Sequence, residues 1–182
     1  AGYVVAASDI GGLSTVGDTA AQTAIGELDT WAKGDAGGST ADRVGLGISG
    51  GAAGLVNYFG KSPGHVADLA ALVLVLPLWA LDDAYQGDWG GTRSAIETAW
   101  SVTYPAALPA GADPSDNTTL LDGIPTRVYY ASDDPITPSG TVTAMVAAFG
   151  ANCTSHNLGA LGHTDAAIAA IDKADLVAWL QA

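Results

Sequence analysis

Ser49, the pair Asp133-Asp134 and His163 are the residues of this chain whose types and placement suit them to nucleophilic chemistry. A serine hydroxyl becomes a competent nucleophile when a base takes its proton, and histidine is the side chain best suited to do so near neutral pH. A carboxylate can then hold the imidazole in one tautomer and stabilise its cation. Each of the three stands in a loop that follows a run of strand character, and in an open parallel sheet the loops at the carboxyl ends of the strands lie together.

The surroundings of Ser49 are the most informative. Val44, Leu46 and Ile48 make a short apolar strand, and Ala52, Leu55, Val56 and Phe59 follow at i, i+3, i+4 and i+7, one face of a helix. Ser49 sits at the junction, in Gly47-Ile48-Ser49-Gly50-Gly51, a G-x-S-x-G nucleophile elbow. The small flanking residues let the chain bend without Cβ clashes and hold the serine in a strained conformation. The Gly50 N–H, at the start of the helix, then points towards an oxyanion. With 24 glycines in 182 residues the five-letter pattern carries little alone, and it recurs at Gly60-Lys61-Ser62-Pro63-Gly64. There Ser62 follows a helix and Pro63 opens a loop, so Ser62 reads as a surface serine.

The elements that must position these residues alternate. Tyr3–Ser8 reads as a strand, and Asp18 caps a helix whose face is Ala21, Ile25, Leu28 and Ala32, with Trp31 beside it. After the elbow helix, Leu72–Leu76 reads as a strand buried on both faces. Leu81 to Gly123 breaks the rhythm and carries one helix, with Ile96, Ala99, Trp100 and Tyr104 on one face; an insertion placed so is expected to form a small cap over the site. Thr126–Ala131 is a strand, followed by a helix with Val142, Met145, Val146 and Phe149 inward. A weaker strand lies within Ala151–Leu158, and Leu176, Val177, Trp179 and Leu180 make the face of a last helix. The expected fold is α/β, a mostly parallel sheet with helices on both faces, in one domain over residues 1–182.

Composition narrows the partners. Six basic against 19 acidic residues give a formal charge of −13, which repels nucleic acid and anionic membranes. The longest apolar run, Leu69 to Leu81, contains Pro77 and is too short to span a bilayer. No leader or anchor is legible ahead of Tyr3. The single Cys153 excludes an internal disulfide. No His/Cys/Glu cluster has metal-ligand spacing, Asp82-Asp83 lacks further oxygen ligands for calcium, and no glycine pair opens a helix as a nucleotide fingerprint. No metal and no cofactor are expected. His65 is placed in a surface loop and His156 within a strand, which leaves His163 as the base.

The order Ser, Asp, His along the chain is that of the α/β hydrolases. The sequence resembles the core of an α/β-hydrolase-fold serine esterase or lipase, from about the fourth strand of that fold to its last helix. The resemblance rests on the elbow, on Ser132-Asp-Asp-Pro-Ile-Thr-Pro138 after a strand, and on Gly162-His163-Thr164. It implies Ser49 as nucleophile, His163 as base and a carboxylic ester as substrate. It favours Asp134 as the acid, because family acids are commonly followed by a short x-Ile/Val-x-Pro run, as in Asp134-Pro-Ile-Thr-Pro138. Asp133 is the alternative, otherwise expected to face solvent or cap the helix near Pro138.

The departure is at the front, where the strands and the loop that bring the second oxyanion donor have no counterpart. The chain is therefore expected to be a piece of a longer one or a reduced fold, with Ile10 in Asp9-Ile10-Gly11-Gly12 supplying that N–H. Losing one such donor costs about 2.7–4 kcal/mol of transition-state stabilisation. Scarce basic residues and the aromatics Trp79, Tyr85 and Trp89 suggest a pocket for a small neutral or apolar ester. Two other readings stay open: an inactive hydrolase-like binding or structural module, and cofactor-free perhydrolysis by the same three residues.

Overall fold

The computed structural model describes Ala7 and residues 15–34 and 43–182. Ile10 and, Ala7 apart, the strand expected at residues 3–8 lie outside them. Among the described residues, four strands pair in parallel: β1 (Arg43–Ile48), β2 (Leu69–Val75), β3 (Thr126–Tyr130) and β4 (Cys153–Asn157), in the spatial order β1-β2-β3-β4. Their register aligns Ile48 with Val75, Val75 with Tyr129 and Tyr129 with His156. The loops that follow therefore leave the sheet along one edge.

β2, one of the two interior strands, shows why helices cover both faces. Leu72 and Leu74 point, with Val128, into a core shared with helices α1 (Thr19–Lys33) and α2 (Gly50–Gly60). Val73 and Val75 alternate to the other face and join Tyr129 in a second cluster. β1 divides its faces differently. Gly45 and Gly47 face the helix side and are buried, whereas Val44, Leu46 and Ile48 are exposed. The glycines are required there: a Cβ at Gly47 would stand 2.6 Å from the Ala52 Cα, and one at Gly45 would meet Leu72 Cδ2 at 2.8 Å. Their missing side chains let α2 close onto β1.

α1 begins where Asp18 Oδ1 accepts the Ala21 N–H at 2.8 Å, the cap expected from the sequence. It is tied to the sheet by Asp29, whose carboxylate takes Arg43 at 2.7 Å, Lys33 at 3.1 Å and the Tyr58 hydroxyl at 3.3 Å. Burial opposes ionisation of Asp29, but the Arg43 and Lys33 bonds outweigh it and hold its pKa below the ordinary value. Pro63 does not open a loop. It starts the short helix α3 (Pro63–Val66), because a residue without an N–H costs nothing in a first turn. His65 belongs to this helix rather than to a surface loop, with its ring stacked on Tyr58 and its Nδ1 2.7 Å from the Tyr58 carbonyl.

The insertion after β2 holds two α-helices where one was expected, α4 (Leu81–Gly87) and α5 (Arg93–Trp100), with 3-10 turns at Trp89–Gly91, Pro114–Asn117 and Thr119–Leu121. α5 stops before Tyr104, since Ser101 turns left-handed at φ 52° and closes the helix end. Tyr104 is exposed beneath the Arg93 guanidinium, 4.2 Å from its ring centre. Leu78, Leu81, Tyr85 and Ile96 form the insertion's own apolar cluster with Val16. Helices α6 (Ser139–Phe149), α7 (Asp165–Ala169) and α8 (Lys173–Leu180) complete the fold. α6 turns Val142, Met145 and Phe149 into the first core, and Leu176, Trp179 and Leu180 of α8 pack on the second. Val177, expected on that face, is exposed, because it lies about 100° around the helix from Leu176.

Asn57 is the polar joint of this assembly. Fully buried in α2, its Nδ2 donates to the Gly17 and Ala112 carbonyls at 3.1 and 2.9 Å, and its Oδ1 accepts from Asn117 at 2.8 Å. Asn57→Ala removes all three of these hydrogen bonds from a buried position and should lower unfolding free energy by about 2–4 kcal/mol. A loss below about 1 kcal/mol in urea titrations would show that the joint carries little.

Candidate active site

Ser49 stands at the turn between β1 and α2 with φ 52° and ψ −122°, a strained backbone for a residue with a Cβ. Its backbone is bonded on each side: its N–H donates to the Val75 carbonyl at 2.9 Å, and its carbonyl accepts from Ala52 at 3.0 Å and Leu78 at 3.3 Å. These bonds fix the turn to the end of β2 and to the first turn of α2, leaving the hydroxyl at the sheet's carboxyl edge. The first amides of a helix have no intrahelical acceptor. Gly50 presents its N–H there with Val16 and Thr15 packed so near that a Cβ would meet Val16 Cγ1 at 3.3 Å.

Two other loops reach the same place. β3 leads into residues 131–138, and β4 leads into residues 158–164. His163 Nε2 lies 2.8 Å from Ser49 Oγ, and its Nδ1 lies 2.7 Å from Asp134 Oδ2. The Asp134 side chain is fully buried and that of His163 is 15% exposed. Asp134 also accepts the Ile136 and Thr137 N–H groups on Oδ1, at 2.8 and 2.9 Å, and the Thr137 hydroxyl on Oδ2 at 2.6 Å. Burial raises the carboxyl's pKa, but the bonds from His163 and Thr137, followed by the backbone N–H groups, pull harder and hold it down to about 2. An ionised carboxylate only accepts, so Nδ1 carries a proton, and in the neutral imidazole this leaves Nε2 to receive the Ser49 O–H.

Asp133 is exposed to solvent and is also bonded. Its Oδ1 accepts the Gly162 N–H at 2.7 Å, across to the loop that carries His163. Neither this bond nor those of Thr137 was anticipated from the sequence. The signal for Thr137 is present in Asp134-Pro-Ile-Thr137, since an aspartate commonly accepts backbone N–H groups two and three residues on. The Asp133–Gly162 bond is tertiary and leaves no local mark.

The remaining expected site residues are placed as follows. Trp79 is buried in the first core, edge-on to Phe149 at 6.2 Å between ring centres, and Tyr85 is fully buried in the insertion's cluster. Trp89 is half-buried, and the adjoining Gly90 approaches Ile136 so closely that a Cβ would lie 2.5 Å from its Cγ1. The insertion thus meets the loop of Asp134. Ser62, in the second G-x-S-x-G, precedes α3. His156, on β4, packs against Tyr129, and burial and the nearby Arg127 charge lower its pKa. Cys153 is buried, which pushes its thiol up to about 11 and makes it a poor nucleophile. Among the described residues no group of three or more His, Cys, Asp or Glu is placed to hold a metal ion, and no helix is long and apolar enough to cross a membrane.

No family model and no curated protein sequence matches the chain. Solved structures share its fold. DphMB1 is 22% identical, with a TM-score of 0.68 over 90% of this chain and 61% of its own. A bromoperoxidase from Bacillus anthracis is 15% identical, with a TM-score of 0.61 over 92% of this chain and 75% of that one. Carboxyl esterase 2 from the mycorrhizal fungus Tuber melanosporum is 18% identical, with a TM-score of 0.60 over 89% of this chain and 58% of that one. The chain thus spans about three-fifths of the length of DphMB1 and of the fungal esterase. The parallel sheet and its flanking helices are an α/β-hydrolase-like core.

The depressed carboxyl makes a stability prediction. With a folded pKa of about 2 against an ordinary 3.8, the ionised Asp134 stabilises the fold above about pH 4, and that contribution is lost as pH falls through 2. The unfolding free energies of wild type and Asp134→Asn should converge by about 2 kcal/mol between about pH 5 and about pH 2. A pH-independent difference would contradict the charge balance at this site.

Proposed function

We propose that this chain is a serine hydrolase that cleaves carboxylic esters through an acyl-enzyme on Ser49. The observation that carries this reading is the unbroken chain of hydrogen bonds from Ser49 Oγ through His163 to Asp134, at 2.8 and 2.7 Å, beside the N-terminus of α2. The turn at Ser49 is then a nucleophile elbow, and the three residues a catalytic triad. The structural likeness to an esterase supports the same reading, since the chain shares that protein's fold.

In this mechanism Ser49 Oγ attacks the ester carbonyl carbon while its proton passes to His163 Nε2. The imidazolium so formed keeps its Nδ1–H on Asp134, whose negative charge stabilises it. The carbonyl oxygen becomes an oxyanion and takes a hydrogen bond from the Gly50 N–H. The carbon–oxygen bond to the alcohol breaks as Nε2 returns the proton to the leaving oxygen, giving alcohol and acyl-Ser49. Water then attacks the acyl carbon, gives one proton to Nε2, and the acid departs as Ser49 recovers its proton. Ile10, proposed from the sequence as a second oxyanion donor, lies outside the described residues. The insertion over residues 81–123 flanks the site at Ile136 and supplies apolar surface around Trp89 for a small neutral substrate.

Turnover of a short-chain nitrophenyl ester tests the assignment. Ser49→Ala and His163→Ala should each abolish it. Asp134→Asn should lower kcat by roughly 10⁴-fold, because the amide leaves the imidazole in the wrong tautomer. Equal activity in wild type and Ser49→Ala would refute the reading.

A further inference from the structure

The two loops that meet at the site are laced together residue by residue. The Leu158 N–H donates to the Tyr130 carbonyl at 2.8 Å and the Ser132 N–H to the Gly159 carbonyl at 3.0 Å. One residue further on, Asp133 takes the Gly162 N–H; the next residue, Asp134, takes the ring of His163. Adjacent carboxylates thus hold adjacent groups of the facing loop, one the backbone and one the side chain.

The backbone they hold has little stiffness of its own. Gly159 and Gly162 both have positive φ, at 91° and 61°, a region open to glycine and strained for other residues. A Cβ at Gly159 would meet nothing within 4 Å, and one at Gly162 only the Thr164 methyl, so close packing does not confine either glycine. Gly162 immediately precedes His163, and rotation about its φ and ψ swings the imidazole relative to Ser49. Leu161 packs on the second core and fixes the loop's root, while the Leu161–Gly162 peptide is held at both ends, its N–H by Asp133 and its carbonyl by the Thr164 hydroxyl at 2.7 Å, of which the Asp133 bond is the one that reaches it from the facing loop.

We propose that Asp133 is a positioning residue: by accepting the Gly162 N–H it sets the backbone direction into His163, and so brings Nε2 within hydrogen-bond reach of Ser49 Oγ. The inference rests on His163 serving as the base for Ser49. The two aspartates divide the task, Asp134 fixing the tautomer and tilt of the ring and Asp133 fixing the peptide that leads into Gly162, from which the chain enters His163. Asp133 acts through an acceptor oxygen rather than through contact with substrate, so its removal should act on the chemical step and leave substrate binding alone. A misplacement of about 1 Å at a reacting group costs on the order of 100-fold in rate.

The test compares Asp133→Ala with Asp133→Asn, which keeps an acceptor at the same atom, on the full chain. Asp133→Ala should lower kcat for a nitrophenyl ester by about 30- to 100-fold with KM changed less than about threefold. Asp133→Asn should recover kcat to within about fivefold of wild type, because a neutral acceptor keeps the geometry with a weaker bond. Amide hydrogen exchange followed by NMR gives a readout free of turnover: protection of the Gly162 N–H should fall at least about tenfold in the alanine variant and persist in the asparagine variant, with β2 amides unchanged in both. An alanine variant with wild-type kcat, an asparagine variant as slow as alanine, or a Gly162 amide unprotected in the wild-type protein would each overturn the proposal. If turnover is absent or independent of Ser49 while the exchange pattern is as expected, the hydrolase reading fails and the Asp133–Gly162 link stands.

Discussion

The turn at Ser49 is the constraint on which the rest of the structure depends. A serine at φ 52° is strained, and the strain persists because the surrounding bonds over-determine it. Val75 holds it from the neighbouring strand, Leu78 from the segment after that strand, Ala52 from the helix, and the bare face of Gly47 gives α2 room to start immediately. Any side chain at Gly47 would push the helix away and relax the turn. The exposed face of β1 is the counterpart of this arrangement. With glycines turned toward α2, the strand's apolar side chains are left on the opposite face, where Val44, Leu46 and Ile48 remain accessible.

The second requirement is electrostatic. A fully buried carboxylate is costly unless its charge is matched by donors. Asp134 meets that demand with three donors from its own loop and one from His163. The local bonds come from the next few residues of the chain, so they orient the carboxylate independently of the histidine. This orientation fixes which oxygen faces the ring, and through the ring which nitrogen faces Ser49. Thr137 shares Oδ2 with the imidazole, which places a hydroxyl directly beside the Asp134–His163 bond.

How far the sequence reveals this depends on the range of each interaction. Strand, turn and helix around Ser49 are local, and their hydrophobic period and glycines make them legible; the parallel sheet with helices on both faces follows from the alternation of such segments. Asp18 was legible as a cap for the same reason. The run Asp134-Pro-Ile-Thr-Pro138 that favours Asp134 over Asp133 is local, and its Ile136 and Thr137 supply three of the Asp134 donors, whereas the bond of Asp133 to Gly162 is tertiary and leaves no mark in the sequence. Periodicity also misjudged Val177 and Tyr104, apolar residues beside or beyond a buried face rather than on it. Asn57 and Asn117 gave no signal at all, since a polar pair joining α2 to the insertion is defined by tertiary contact alone. The aromatic residues after β2 were read as a pocket, whereas Trp79 and Tyr85 are taken up by packing, which their size favours in a chain with few large side chains.

Under the proposed mechanism Ser49 is an activated nucleophile rather than a strained structural residue. Reaction of the folded protein with a fluorophosphonate, followed by peptide mapping, measures this most directly. Stoichiometric modification at Ser49, lost in His163→Ala and on unfolding, is the predicted result. No modification of the folded protein, or modification at another residue that survives Ser49→Ala, would contradict it.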